Sequence, residues 1–217
     1  PDTKLYTVTN ESLQSLIVGM GLHDAIFPGP LLAVCGSGDQ AFAFLEYAPV
    51  VAVDVNDNQL EFAKKRADLL RRGRTWDFLN AFEASCSQAF KRQREQYFFD
   101  TPKRLEKIRK NLDNLSFLHA DIFDMPGNDM YSRIYLSNAE VGSGNKKNVV
   151  THLKPNGLLL ATCMACDFYN AKPYPFTSKE EYLTSFANSL HDNNPWKVMV
   201  YRKTDDVRLS KLDNLNS

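Results

Sequence analysis

Residues 31 to 54 restrict the fold of this chain more than any other stretch. Leu31-Leu32-Ala33-Val34-Cys35 is an apolar run that ends in the small turn Gly36-Ser37-Gly38. A second apolar run, Val50-Val51-Ala52-Val53, ends in Asp54. Short runs without polar alternation are covered on both faces, as strands of a parallel sheet are. Asp39 to about Tyr47 fits the short helix between them. A glycine turn after one strand and an acid closing the next is the plan of a strand–helix–strand unit whose strand tips hold a nucleotide-like ligand.

The rest of the chain repeats the alternation. Glu11 to Met20 places Leu13, Leu16, Ile17 and Met20 on one helical stripe, with Asn10 as N-cap. Asn56 or Asp57 caps a helix running to about Arg72. Ser116 to His119, Arg133 to Ser137 and Leu158 to Cys163 read as further strands. Val149 to Leu153 ends a helix, and Lys154-Pro155-Asn156-Gly157 is a turn. Ser178 to Leu190 reads as a helix with a capping box from Ser178 and Glu181. Trp196 to Tyr201 and Val207 to Leu212 suggest a closing pair of strands. The expected class is α/β, a Rossmann-like, doubly wound, mainly parallel sheet in a single domain over residues 1–217. A helical insertion of about residues 73–114 follows the second strand.

That insertion is the one shift in composition. Residues 61–110 carry fourteen Lys or Arg and seven Asp or Glu, a local excess of +7 in a chain whose formal net charge is zero. Aromatic residues such as Trp76, Phe78, Tyr97 and Phe98 are interleaved with these cations. The mix suits an amphipathic cap that can also line an acceptor pocket, and it suits contact with an acceptor's anionic group, a membrane surface or nucleic acid. With no overall positive charge, nucleic acid is not an expected partner. Four cysteines do not make a secreted disulfide framework, so a cytoplasmic protein, peripheral to membrane at most, is expected. The chain starts at Pro1, and a targeting segment upstream of it would not be visible. Cys163-Met164-Ala165-Cys166 is a lone C-x-x-C without a second pair, so no metal site is expected.

Four groups of residues are candidates for ligand contact. Cys35, Gly36, Ser37, Gly38 and Asp39 form the first turn, where small residues let backbone approach a ligand. Asp54, followed by Val55 and Asn56, can accept hydrogen bonds from both hydroxyls of a ribose. Asp121 and Ile122, beyond the third strand, can take an adenine amino group and ring, although an acid there can equally cap a turn. Ser137 ends the fourth strand as a cofactor contact, while Asn138, which offers both donor and acceptor, and Glu140, a possible base, are the catalytic candidates there. Gly36 to Ala41 also satisfies a loose G-x-G-x-x-A dinucleotide pattern. Asp39, however, would set a carboxylate against a pyrophosphate, whereas S-adenosylmethionine has no phosphate and carries a cationic sulfonium.

Together these residues resemble the class I S-adenosylmethionine-dependent transferases, which have a methyltransferase fold. The likeness covers residues 31–72, Asp121, and the turn Leu153-Lys154-Pro155-Asn156-Gly157, where the family often has L-K-P-G-G. Val34 departs from that family, most members of which place an acid two residues before the first glycine. Ser37-Gly38-Asp39-Gln40, Ala52-Val53-Asp54-Val55-Asn56, Gln59-Leu60 and Ser137-Asn138 are similar to the betaine-lipid synthases. Those enzymes transfer the 3-amino-3-carboxypropyl group of S-adenosylmethionine to diacylglycerol. The resemblance implies S-adenosylmethionine as cofactor, with Gly36, Gly38 and Asp39 on its methionine part and Gln59 near the site. It implies aminocarboxypropyl transfer to a small-molecule or lipid acceptor, with methyl transfer as the alternative. An NAD-dependent oxidoreductase and a non-catalytic binding domain are the rival readings.

Overall fold

The structure is a computed structural model, described over residues 5–23, 29–81, 87–101, 103–127, 130–139, 146–164, 174–191 and 193–204. Seven strands form one sheet: β1 (Leu31–Val34), β2 (Val50–Asp54), β3 (Leu115–His119), β4 (Tyr131–Tyr135), β5 (Leu153–Met164), β6 (Thr177–Lys179) and β7 (Trp196–Lys203). Their order is β3-β2-β1-β4-β5-β7-β6. The first five run parallel, and β7 is antiparallel to both β5 and β6. The helices are α1 (Leu13–Gly19), α2 (Asp39–Leu45), α3 (Asp57–Arg71), α4 (Thr75–Leu79), α5 (Gln88–Asp100), α6 (Arg104–Lys110), α7 (Lys146–Thr151) and α8 (Glu181–Ser189).

The period-two alternation of strand side chains divides the core in two. Leu31, Ala33 and Cys35 pack with α1, α2, α3 and the insertion on one face, together with Leu158, Leu160, Val198 and Val200. Leu32, Leu159, Ala161, Met199 and Tyr201 turn to the other face, where they meet α7 and the segment around Ile122 and Phe123. Strand order reverses between β1 and β4, which opens a crevice at the carboxyl ends of the parallel strands. Among the described residues no helix is long and apolar enough to cross a membrane.

Several local expectations are corrected. Helix α1 begins at Leu13, and its N-cap is Ser12, whose side chain accepts from Ser15 N, rather than Asn10. Glu11 is drawn out of the helix by buried partners described below. Ser178 lies in β6, not in a capping box: α8 starts at Glu181 after Glu180, with no side-chain cap. That short strand pairs with β7, while Val207 to Leu212 lies outside the described residues. Lys154 to Gly157 is not a turn ahead of the strand but a bulge within a continuous β5 that already begins at Leu153, with a register shift opposite Tyr131 and Arg133. Asn156 there has φ +61°, a conformation that asparagine tolerates better than most non-glycine residues.

The insertion consists of α4, α5, α6 and a 3-10 turn over Leu112–Asn114. Phe78, Leu79, Tyr97, Phe98 and Ile108 join the main core, so this region is bound into the domain by its aromatic residues. Trp76 and Phe99 remain exposed. Arg94 and Arg104 of the insertion, and Arg66 of the adjoining α3, are buried rather than solvated.

Candidate functional site

A cavity of about 870 Å³ occupies the crevice at the strand tips. Its wall is built from the ends of β1 (Val34, Gly36, Ser37), β2 (Val53 to Asn56) and β4 (Ser137 to Ala139), and from the segment after β3 (Ala120 to Asp124). The volume falls within the range of small-molecule and cofactor sites. A fifth contribution comes from the N-terminal segment, whose Tyr6, Val8, Thr9 and Asn10 also line the cavity. Apart from Asn10, expected as a helix cap, no sequence signal marks that segment, because it has neither apolar periodicity nor a turn motif.

Asp54 sits at the centre of the wall. Its carboxylate accepts from Gly36 N at 3.1 Å and from Asn56 N at 3.0 Å, which fixes the β1 turn against the end of β2. Burial pushes its pKa up, opposed by these backbone donors. A carboxylate can accept about four hydrogen bonds, so capacity remains for a ligand's hydroxyls. Gly36 has φ +48° and no atom within 4 Å of where a Cβ would stand, so backbone faces the cavity. Gly38 has φ +83°, and a Cβ there would lie 3.0 Å from the Phe42 ring and 3.1 Å from Ala63. One glycine opens the site, whereas the other permits close packing.

The far end is lined by Asp121, Ile122 and Phe123. Asp121 Oδ1 accepts from Phe123 N at 2.8 Å, and its carbonyl accepts from Asp124 N and Met125 N. Asp121 therefore caps a turn and also borders the cavity. Ile122 is buried with its side chain in the second core. Val55 is exposed at the rim. Asn56 caps α3 by accepting from Asn58 N and also reaches the wall.

Two assignments need correction. Cys35 is fully buried in the core, and burial together with the charge of Asp54 pushes its thiol pKa up. Asp39 is also fully buried and does not reach the cavity. It lies behind the turn, where it accepts from Arg66 Nη1 at 2.8 Å, Arg94 Nη2 at 2.9 Å, Ser37 Oγ at 2.9 Å and Thr9 N at 3.0 Å. Burial would raise its pKa, but the two guanidinium groups and their hydrogen bonds hold it down at about 2. Arg66 is shifted for another reason: burial and the like charge of Arg94 push it down to about 10. Asp39 thus anchors the turn to α3, α5 and the N-terminal segment. Arg94 also donates to the carbonyls of Leu79, Ala81 and Thr7.

Gln59 borders the cavity but is committed to Tyr6, donating to its carbonyl at 2.6 Å and accepting from its N–H at 2.8 Å. Its place is to pin the N-terminal segment. Ser137 and Asn138 are on the wall, and Ser137 holds a left-handed φ of +55°. Glu140 and Cys166 lie outside the described residues. The described part of the insertion contributes nothing to the wall of this cavity.

Behind Ser137 lies Glu11, only 2% exposed. Its carboxylate accepts from Ser137 Oγ at 3.1 Å, from Gln40 Nε2 at 2.9 Å, and from the hydroxyls of Tyr135 and Thr162. Gln93 of α5 holds its backbone by donating to the Glu11 carbonyl at 2.7 Å. Burial and the neighbouring Glu11 keep the Tyr135 pKa well above its ordinary value, so Tyr135 remains a donor. The apolar spacing predicts Glu11 at the start of a helix, whereas the structure begins α1 at Leu13 and sets the Glu11 carboxylate against Gln40.

No protein-family model matches the sequence, and no curated protein matches it. Solved structures match in shape. The rRNA methyltransferase aviRa from Streptomyces viridochromogenes is 16% identical over 91% of this chain and 86% of its own, with a TM-score of 0.51. The [4+2]-cyclase SpnF is 11% identical over 88% of this chain and 80% of its own, with a TM-score of 0.50. The glycopeptide N-methyltransferase MtfA, solved with S-adenosyl-L-methionine, is 13% identical over 94% and 71%, with a TM-score of 0.46. A methyltransferase and a cyclase on one architecture show that such likeness bears on fold and not on reaction. The likeness in shape to the first two, taken with the mainly parallel seven-stranded sheet, shows the fold: the chain has a Rossmann-like fold of the class I methyltransferase type.

Proposed function

We propose that this chain is an S-adenosylmethionine-dependent transferase. The observation that carries the reading is the charge of the cavity wall. Among the described residues it bears three carboxylates, Asp54, Asp121 and Asp124, and no lysine or arginine. A dinucleotide would set its pyrophosphate against these acids without a cation to offset it, whereas a sulfonium cofactor carries no phosphate. Asp39 takes no part in that preference, since Arg66 and Arg94 neutralise it away from the cavity.

The residues present fit that cofactor in sequence along the cavity. Ile122 and Val55 offer apolar surface to an adenine ring, and Asp121 retains an oxygen for its amino group. Asp54 accepts from the ribose hydroxyls. Gly36 and Ser37 bring backbone close to the methionine part, while Ser137 and Asn138 face the region where an acceptor meets it. When bound, the cofactor supplies a carbon activated by its sulfonium; the C–S bond breaks towards sulfur and leaves a neutral thioether. The protein's part is therefore positioning and exclusion of water. The N-terminal segment, held by Gln59, Arg94 and Asp39, lines the same cavity.

The 3-amino-3-carboxypropyl group is the transferred group favoured by the likeness of residues 37–40, 52–56 and 59–60 to betaine-lipid synthases. The acceptor is a small molecule or a lipid. Methyl transfer is the second reading, supported by the methyltransferases among the fold neighbours. Incubation with S-adenosylmethionine and either diacylglycerol or an amine, followed by identification of the nucleoside product, separates them. Aminocarboxypropyl transfer gives methylthioadenosine at the rate of acceptor consumption. S-adenosylhomocysteine as sole product would replace that reading with methyl transfer.

A further inference from the structure

We propose that Glu11 and Gln40 form a subsite for the α-ammonium group of the cofactor's amino-acid arm. The inference rests on the reading of the cavity as an S-adenosylmethionine site. Glu11 is a buried carboxylate whose partners are three hydroxyls and one amide, all neutral. Among the described residues no lysine, arginine or histidine forms an ion pair with it, whereas Asp39 has two arginines. A charge removed from water without a counter-charge is costly, and that cost falls when a cation arrives.

Gln40 makes a path from this charge to the cavity. Its Nε2, with two hydrogens to give, lies 2.8 Å from Thr9 Oγ1, 2.9 Å from Glu11 Oε2 and, more loosely, 3.2 Å from the Tyr135 hydroxyl oxygen. The carboxylate can only accept, so the amide orientation is fixed and Oε1 points away from it. Gln40 Oε1 is buried, has no hydrogen-bond partner, and belongs to a side chain on the cavity wall. An acceptor of this kind calls for a donor from the ligand. An ammonium group satisfies it, and the negative charge of Glu11 one hydrogen bond behind the wall supplies the electrostatic attraction. Ser137 Oγ, already donating to Glu11, completes the wall on the other side.

The test is a thermodynamic cycle between protein and ligand. Affinities of wild type and Glu11→Gln are measured by calorimetry for S-adenosylhomocysteine, for its analogue lacking the α-amino group, and for methylthioadenosine. Wild type should bind S-adenosylhomocysteine about 30-fold more tightly than the desamino analogue, the size expected for losing one partner of a buried charged contact. In Glu11→Gln that ratio should fall to about 3-fold or less, with methylthioadenosine affinity unchanged. The same ratio in both proteins, or wild type indifferent to the amino group while binding methylthioadenosine, would overturn the subsite alone. Failure of wild type to bind any of the three would overturn the cofactor reading and the subsite with it. Should Glu11→Gln not fold, Gln40→Met, which removes the orphan acceptor, must also narrow the ratio; an unchanged ratio there counts against the subsite.

Discussion

Asp39 and Glu11 are both buried acids beside the same cavity, and their surroundings are opposite. Asp39 meets two guanidinium groups, a hydroxyl and a backbone N–H, so its charge is offset within the protein. Glu11 meets three hydroxyls and one amide, so its hydrogen bonds are satisfied and its charge is not. Neighbouring residues of α5 serve both: Arg94 reaches Asp39, and Gln93 holds the Glu11 backbone. A balanced buried acid is part of the framework, whereas one with charge to spare is prepared for a ligand. By that criterion the carboxylate nearer the glycine turn in sequence is structural.

The comparison can be broken most directly at Asp39. Asp39→Ala leaves Arg66 and Arg94 buried without an anion and should cost about 3–5 kcal/mol of stability, measured by urea unfolding. A loss below about 1 kcal/mol would mean that the triad is not the anchor of the turn. Next comes the acid limb. A folded pKa of about 2 against 3.8 unfolded gives Asp39 about 2 kcal/mol of stability that is fully present above pH 4. It is lost as pH falls from about 4 through 2, the sign proper to a depressed carboxylate. That limb should be absent in Asp39→Asn.

A third change sharpens the ligand side. Asp54→Ala should weaken S-adenosylhomocysteine binding by about 10- to 30-fold through lost ribose hydrogen bonds, together with a loss of about 1–2 kcal/mol of stability from the unpaired Gly36 and Asn56 N–H groups. Smallest of all is the stability effect of Glu11→Gln. Its hydroxyl partners can reorient, and an uncompensated charge is removed, so unfolding free energy should change by less than about 1 kcal/mol or rise. A loss as large as that of Asp39→Ala would show that Glu11 is framework too.

The contrast also explains what the sequence could reveal. The Leu31–Asp54 unit is local: apolar runs, glycines and a terminal acid read directly as strand, turn and strand tip, and Asp54 lies on the cavity as its position implies. Asn56 as the cap of α3 is equally local. Aromatic residues of the insertion gave enough signal for a core that includes Phe78, Tyr97 and Phe98. What decides the roles of Asp39 and Glu11 is distant in the chain. Arg94 is 55 residues from Asp39, and Tyr135 and Thr162 are 124 and 151 residues from Glu11. No spacing rule reports such partners. Ser178 and Glu181 failed as a capping box for a similar reason, since pairing of Thr177–Lys179 with β7 claims the backbone first.

Titration calorimetry of the wild-type chain with S-adenosylmethionine and with NADH, each repeated on Asp54→Ala, tests the central claim most directly. Saturable binding of S-adenosylmethionine that weakens in the variant, with no NADH binding, is the predicted result. NADH binding without affinity for S-adenosylmethionine would contradict it.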